Sequence, residues 1–456
     1  MSEGEYTAVH GLMQLMRYQN NYPNLMSGVD KLSAQAKNLF GPNPPPVLID
    51  YALQYQMNLF GDYPTSKDVV PSAIFSAVFG IIAIIHLGIF SINYSRGHYF
   101  WLSLGWAFYA IMRTIGWILR IVWSKDLTRT GLGIADEVLL LIPAVLLIAF
   151  NLILAQRIFT WRHPVGGSRK LFWAFMMILY VLVIGVIAMC IVGSAVPYLY
   201  FLSTAAVSRY QKVVEAAMIL LCLYSLTAVS LLGLAYFLKP TRRDESLYTY
   251  QPWWIESFAP TYFVRKGAEK EAAVSFLKRN RNQRNAIRVI AATHHHYKQV
   301  HGVTNERGAL GHNVSLGIVS ISTVLILIGC ILRTVVVFEK RYQMNSGPAT
   351  KPVAMYIAWG LFEFIINAMY IIGRVDLRFY RPNKLPNNVR DINTADQTHV
   401  IPSDDELEVG DSESSEKPGP SSSSLEQHAN DVTPPEADLI DNTEDKKKSE
   451  NVENEK

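Results

Sequence analysis

The stretch ADEVLLLIPAVLLIAFNLILAQRIF, residues 135–159, decides the fold. Two carboxylates open it, and residues 138–155 then run without an ionisable group. At a rise of about 1.5 Å per residue, an α-helix of this length covers a hydrocarbon core of about 30 Å. Six further stretches read the same way: 71–92, 99–122, 171–192, 213–238, 314–338 and 353–372. A soluble core cannot use so many. In lipid every backbone N–H and C=O must be satisfied within its own segment, so each stretch is predicted helical. The expected fold class is all-α, a polytopic membrane protein built as a bundle of seven transmembrane helices.

Charge in the connections sets the expected orientation. Positive residues gather after the first, third and fifth helices: Arg96, then Arg157, Arg162, Arg169 and Lys170, then a basic connection over 239–313. The opposite side offers only Lys125, Arg129, Arg209, Lys212, Lys340, Arg341 and Lys351. This predicts the amino terminus outside and the carboxyl terminus in the cytosol. The formal charge of +4 hides two opposed parts: from Asp391 onward nineteen acidic residues face five basic ones, leaving +18 for the rest. The basic excess flanks membrane spans, so it points to anionic lipid headgroups rather than to nucleic acid.

The predicted organisation is an outer segment 1–70, helices one to five over 71–238, the basic cytosolic loop 239–313, helices six and seven over 314–372, a basic juxtamembrane piece 373–390 and an acidic tail 391–456. In the outer segment Val9, Leu12, Met13 and Met16 recur at helical spacing, and the proline-rich run 41–46 predicts extended chain. Residues 47–60 resume an apolar pattern, either as part of a ligand entrance or as a cap on the bundle. Residues 265–298 mix apolar and basic residues as a membrane-surface helix or a partner-binding loop would. The tail is too polar to bury a core and reads as a disordered regulatory segment, with Ser403, Ser423 and Thr433 as phosphorylation candidates.

Cys190, Cys222 and Cys330 all fall within predicted helices, so no disulfide framework is expected. No cleavable signal precedes the first span. His294, His295 and His296 cannot share one helix face and make a poor metal site. No metal and no cofactor is expected.

Ionisable groups inside a span are costly and are the default functional candidates. Helix two carries Arg113 and Arg120 on one stripe with Trp106, Tyr109 and Trp117; helix seven carries Glu363, with Asn367 one turn on. Arg113 lies roughly 14 Å and Glu363 roughly 15 Å below the outer ends of their helices, which predicts a pair. Arg333, Asp136, Glu137 and Glu215 lie shallower. They are expected to outline a polar cavity open to the outside, beside the kink that Pro143 brings to helix three. An Arg–Glu pair can equally serve only to hold helices in register. Substrate-binding candidates are therefore Glu363, Arg113, Arg333, Asp136, Glu137, Glu215 and Asn367.

Several chemistries are disfavoured. Zinc hydrolases of membranes need several histidines within helices, and His86 is alone inside a span. A retinal protein needs a lysine in the last helix, where none occurs. The usual receptor motifs are replaced by Gln156-Arg157-Ile158 and Asn367-Ala368-Met369-Tyr370. No phosphate-binding loop is present. The chain does not read as an enzyme.

Four segments carry a family resemblance. The third helix, Ala135 to Ala144 with its Leu-rich run ending in Pro143-Ala144, followed by Gln156-Arg157-Ile158, resembles that of the fungal seven-span lipid-translocating exporters named for resistance to an aminocholesterol. Arg333 to Glu339 is similar to that family's arginine-to-glutamate element before the last span. Trp359-Gly360-Leu361-Phe362-Glu363 is similar to its aromatic segment ending in aspartate. The resemblance covers 70–240 and 313–385. Three features depart from it: the second arginine of the penultimate element is absent, Glu363 replaces aspartate, and about 75 residues follow helix five. These departures suit a receptor-like sister group. The resemblance implies a plasma-membrane protein that moves an amphipathic lipid or lipophilic cation, with membrane lipids as partners. The alternative is a receptor or sensor that signals through 239–313 to a cytosolic partner at the loop and tail. A structural membrane protein acting through its tail is a third reading.

Overall fold

The computed structural model describes residues 7–167, 169–239, 255, 257–268 and 312–380. The tail, the juxtamembrane residues from 381, most of the predicted basic helix, and the histidine run lie outside them. Three short helices come first: α1 (Ala8–Gln19), α2 (Val29–Phe40) and α3 (Pro46–Gln54). Seven long ones follow: α4 (Val69–Ser95), α5 (Trp101–Trp123), α6 (Thr130–Arg162), α7 (Lys170–Leu199), α8 (Thr204–Phe237), α9 (His312–Glu339) and α10 (Pro352–Ile372). All seven are long and apolar enough to cross a membrane. The described residues are all-α and contain no strand, apart from one isolated bridge between Met57 and Tyr342.

The helices outrun their apolar cores. α8 begins at Thr204 rather than near 213, with the Ser203 side chain accepting from Ala206 N at 3.3 Å. Its first turns hold Arg209, Gln211 and Lys212, which hydropathy alone does not count as span. α7 likewise continues past 192 through Gly193, Ser194 and Pro197 to Leu199.

Burial sets the order of the bundle. α6 is the most buried long helix, at 56% of its apolar window, and packs against α5, α8, α9 and α7. α7 is the least buried, at 22%, and turns an apolar face outward, as a lipid-facing helix does. Pro143 sits inside α6 without interrupting it. It removes the donor that Leu139 O would otherwise have. Gly116 of α5 makes that turn approachable: a Cβ there would lie 3.3 Å from Leu139 O and 3.1 Å from Leu140 Cδ2.

At one end, here the cap end, α1 to α3 form a small layer with its own core of Met13, Met16, Ala36, Leu48 and Tyr51. The sequence reading found α1 but not α2, whose twelve residues carry few strong apolar ones. Pro45 is extended, and Pro46 opens α3 at a helix position where its missing N–H is harmless. Backbone bonds tie this layer to the turns of the bundle: Gly28 N to Pro197 O at 2.8 Å, Gln343 N to Gln56 O at 2.9 Å, and Gly61 N to Thr350 O at 3.1 Å. Gly61 and Asp62 both take positive φ, and a Cβ at Gly61 would collide with Met355. The loop after α3 thereby turns inward and buries Phe60 and Tyr63.

Candidate functional site

Three groups of charge lie along the bundle, and they differ in how completely they are satisfied. The deepest joins Arg113 of α5 to Glu363 of α10. Arg113 Nε donates to Glu363 Oε2 at 2.8 Å, and Nη2 donates to Oε1. Its Nη1 donates to Leu140 O at 2.6 Å, and Tyr109 OH donates to Glu363 Oε2. Arg113 is 0% and Glu363 3% exposed. Asn367 Nδ2 donates to Glu363 O at 2.7 Å. Immediately before Glu363 the helix widens into a π-helical segment, Tyr356–Phe362, a feature that is rare and frequent at functional sites. Sequence patterning does not reveal it. Both carboxylate oxygens of Glu363 are occupied, so this carboxylate cannot receive a cationic headgroup unless Arg113 withdraws.

The second group lies toward the cap end. Arg120 sits 3.7 Å from Asp68 and 3.7 Å from Asp136, and it donates to the carbonyls of Gly61 and Asp62. Tyr356 OH donates to Asp68 Oδ1 at 2.9 Å. Arg120 and Asp136 are fully buried rather than set at a water interface, because the inward loop of the cap covers them. Asp136 therefore faces Arg120 and is not in the wall of the cavity that Glu137 lines. Glu215 is not in the cavity wall either; it pairs at 2.5 Å with the half-exposed Lys340.

The third group is Glu137 of α6 and Arg333 of α9. Both line a cavity of about 150 Å³ bounded by α6, α7, α8, α9 and the loop 56–63. The wall is mostly apolar, with Asn58, Tyr198 and Gln211 as further polar members. Arg333 forms no ion pair within 4 Å among the described residues. Its guanidinium instead lies 5.3 Å from the ring centre of Trp359, whose ring also lies 5.4 Å from the Arg113 guanidinium. Phe60 of the cap loop meets Trp359 edge-on at 4.7 Å. Arg333 thus stacks on an aromatic ring where Arg113 pairs with a carboxylate. Arg333 and Leu141 also line a second, smaller cavity of about 20 Å³ that reaches Trp359 and Glu363. Arg333 stands between the two spaces.

The loop 56–63 both caps the bundle and forms cavity wall. Burial there raises the Asp62 carboxyl above its ordinary value of 3.8 and lifts the Tyr63 phenol well above 10.0. Among the described residues no group of three His, Cys, Asp or Glu is arranged to hold a metal ion.

At the far end lies a cluster the sequence reading missed. Arg374, in a left-handed backbone conformation and fully buried, pairs with Asp376 at 2.7 Å. Its Nη1 also donates to the carbonyls of Ala259, Pro260 and Tyr262. Arg96 donates to Phe263 O and Val264 O, each at 3.1 Å. Part of the long connection, residues 257–268, is thereby docked on the end of α4 and α10. Between this cluster and Glu363, Asn151 accepts from Tyr370 and from Ser322 at 3.1 Å.

Residues 164–380 match a family described as "Protein of unknown function (DUF3112)". The match takes in α7 to α10 with Arg333, Glu363 and Arg374, and begins after Arg113, Asp136 and Glu137. No curated protein and no solved structure matches the chain.

Proposed function

We propose that this integral membrane protein binds an amphipathic lipid or lipophilic ion in the cavity beneath its cap and translocates it, without chemical conversion. The observation that carries the reading is an apolar cavity holding two unpaired charged side chains, Glu137 and Arg333. Convergent polar groups suit the head of such a ligand, and the apolar wall suits the carbons that adjoin it. The cap end faces outward in this proposal, supported by the sparser basic residues on that side. The resemblance to fungal lipid exporters favours the plasma membrane. Glu137 and Arg333 meet the ligand, whereas Arg113–Glu363 closes the route below them.

A second reading, a receptor, is favoured by one specific feature. Polar side chains recur along α10: Asn367 donates to Glu363 O, Tyr370 donates to Asn151, and Arg374 grips the connection after α8. In this reading a ligand that moves Trp359 shifts α10 and, with it, the docked connection.

Purified protein in liposomes separates these readings through transbilayer movement of labelled sphingoid base and phospholipid. Movement above protein-free controls, reduced in Glu137→Gln, supports translocation. Absence of movement in folded protein removes translocation and makes the receptor the leading reading.

A further inference from the structure

The cavity wall carries polar atoms that nothing in the protein satisfies. Oε1 of Glu137, Nη1 of Arg333, Nδ2 of Asn58, Nε1 of Trp123 and the hydroxyl of Tyr198 are each buried without a hydrogen-bond partner. All five residues line the same space. Buried polar groups are nearly always paired, and five orphans around one cavity call for partners supplied from outside the chain. Glu363, Asp68, Asp136 and Asp376 each have a cation within 4 Å, and Glu137 has none.

The two charges have opposite sign, and both line the wall without meeting. A cationic amphiphile would satisfy Glu137 but add a second positive charge beside Arg333. An anionic one would satisfy Arg333 and be repelled by Glu137. A head carrying both charges satisfies both and brings no net charge into a low-dielectric site. We infer that the cavity selects a zwitterionic head, with an ammonium group for Glu137 and a phosphate or carboxylate for Arg333. The Asn58 amide and the Tyr198 hydroxyl would donate to the remaining anionic oxygens. A cavity near 150 Å³ is of the size that admits a benzene-sized molecule, so it holds a head of about six to ten heavy atoms and not a long chain. This specificity rests on the proposed reading that the cavity is the ligand site. The same chemistry is offered by a single-chain zwitterionic lipid and by a free small zwitterion.

The test is equilibrium binding to the full chain in a non-ionic maltoside micelle. It can be followed by tryptophan fluorescence, since Trp123 lines the cavity. The probes are lysophosphatidylethanolamine (zwitterionic), sphingosine (cationic), lysophosphatidic acid (anionic) and free phosphoethanolamine. The zwitterionic lipid is expected to bind at least roughly tenfold more tightly than either singly charged lipid. Glu137→Gln should abolish its advantage over the anion, and Arg333→Gln its advantage over the cation. Either variant suffices if the other does not fold. Competition by phosphoethanolamine assigns the site to a free zwitterion; lack of competition assigns it to the lipid. The inference is overturned if a singly charged lipid binds wild type as tightly as the zwitterion, or if both preferences survive the variants. If no probe binds folded protein, the ligand-site reading itself falls. Transbilayer movement without a zwitterion preference removes this inference alone.

Discussion

Arg113–Glu363 and Glu137–Arg333 place the same two chemical types between helices of one bundle, with opposite outcomes. In the first pair the guanidinium grips both carboxylate oxygens, and Tyr109, Leu140 and Asn367 supply further bonds. In the second, carboxylate and guanidinium face one cavity and each keeps an orphan atom. A closed buried pair fixes which helices meet and at what height. Two charges held apart in an apolar wall are a standing cost that a ligand can relieve. The first arrangement is architecture, and the second is the one proposed as a site.

The sharpest way to break this comparison is to neutralise one member of each pair. Glu363→Gln leaves Arg113 buried and uncompensated, and should lower stability by about 3–5 kcal/mol. Thermal unfolding in detergent checks it. The double change Arg113→Met with Glu363→Met should recover most of that loss, since a packed apolar pair avoids the desolvation cost. Next in size is Arg374→Leu, which frees three loop carbonyls and should cost about 2–3 kcal/mol. Hydrogen exchange should rise over 257–268 while the cap exchanges as before. Glu137→Gln should change stability by less than about 1 kcal/mol, or raise it, because it removes an unpaired buried charge. A loss as large as that of Glu363→Gln would erase the distinction between the pairs.

The smallest expected effect is a pH slope at Asp62. Its carboxyl is raised above 3.8 by burial, so the folded cap holds the proton more tightly than the unfolded chain. That contribution is complete below the unfolded value and is lost as pH rises through the folded one. Exchange at 56–63 should therefore quicken slightly over this window beyond its intrinsic pH dependence, and Asp62→Asn should flatten the difference.

The bundle was legible because a run such as 138–155 permits almost nothing but a membrane helix. The Arg113–Glu363 meeting was legible too, since a constant rise per residue converts sequence position into depth. Depth does not tell which neighbour a side chain turns to. Asp136 and Glu137 are adjacent in sequence, yet one helical step of about 100° sends the first to Arg120 and the second to the cavity. The π-helical turn at Tyr356–Phe362 shifts the register of α10 just above Glu363, and no residue pattern announces it. The Arg374 cluster escaped for another reason: its partners are backbone carbonyls over a hundred residues away, and carbonyls carry no sequence signature.

The central claim is that an amphipathic ligand places its head beside Glu137 and Arg333, above an intact Arg113–Glu363 pair. The most direct measurement is photo-crosslinking of the reconstituted protein with a single-chain amphiphile carrying a diazirine next to its head, followed by peptide mapping. The account predicts labelling on α6 around Glu137, on α9 around Arg333 and on the loop 56–63, competed by unlabelled ligand. Labelling confined to the lipid-facing sides of α4 and α7, with these segments clean, would contradict it.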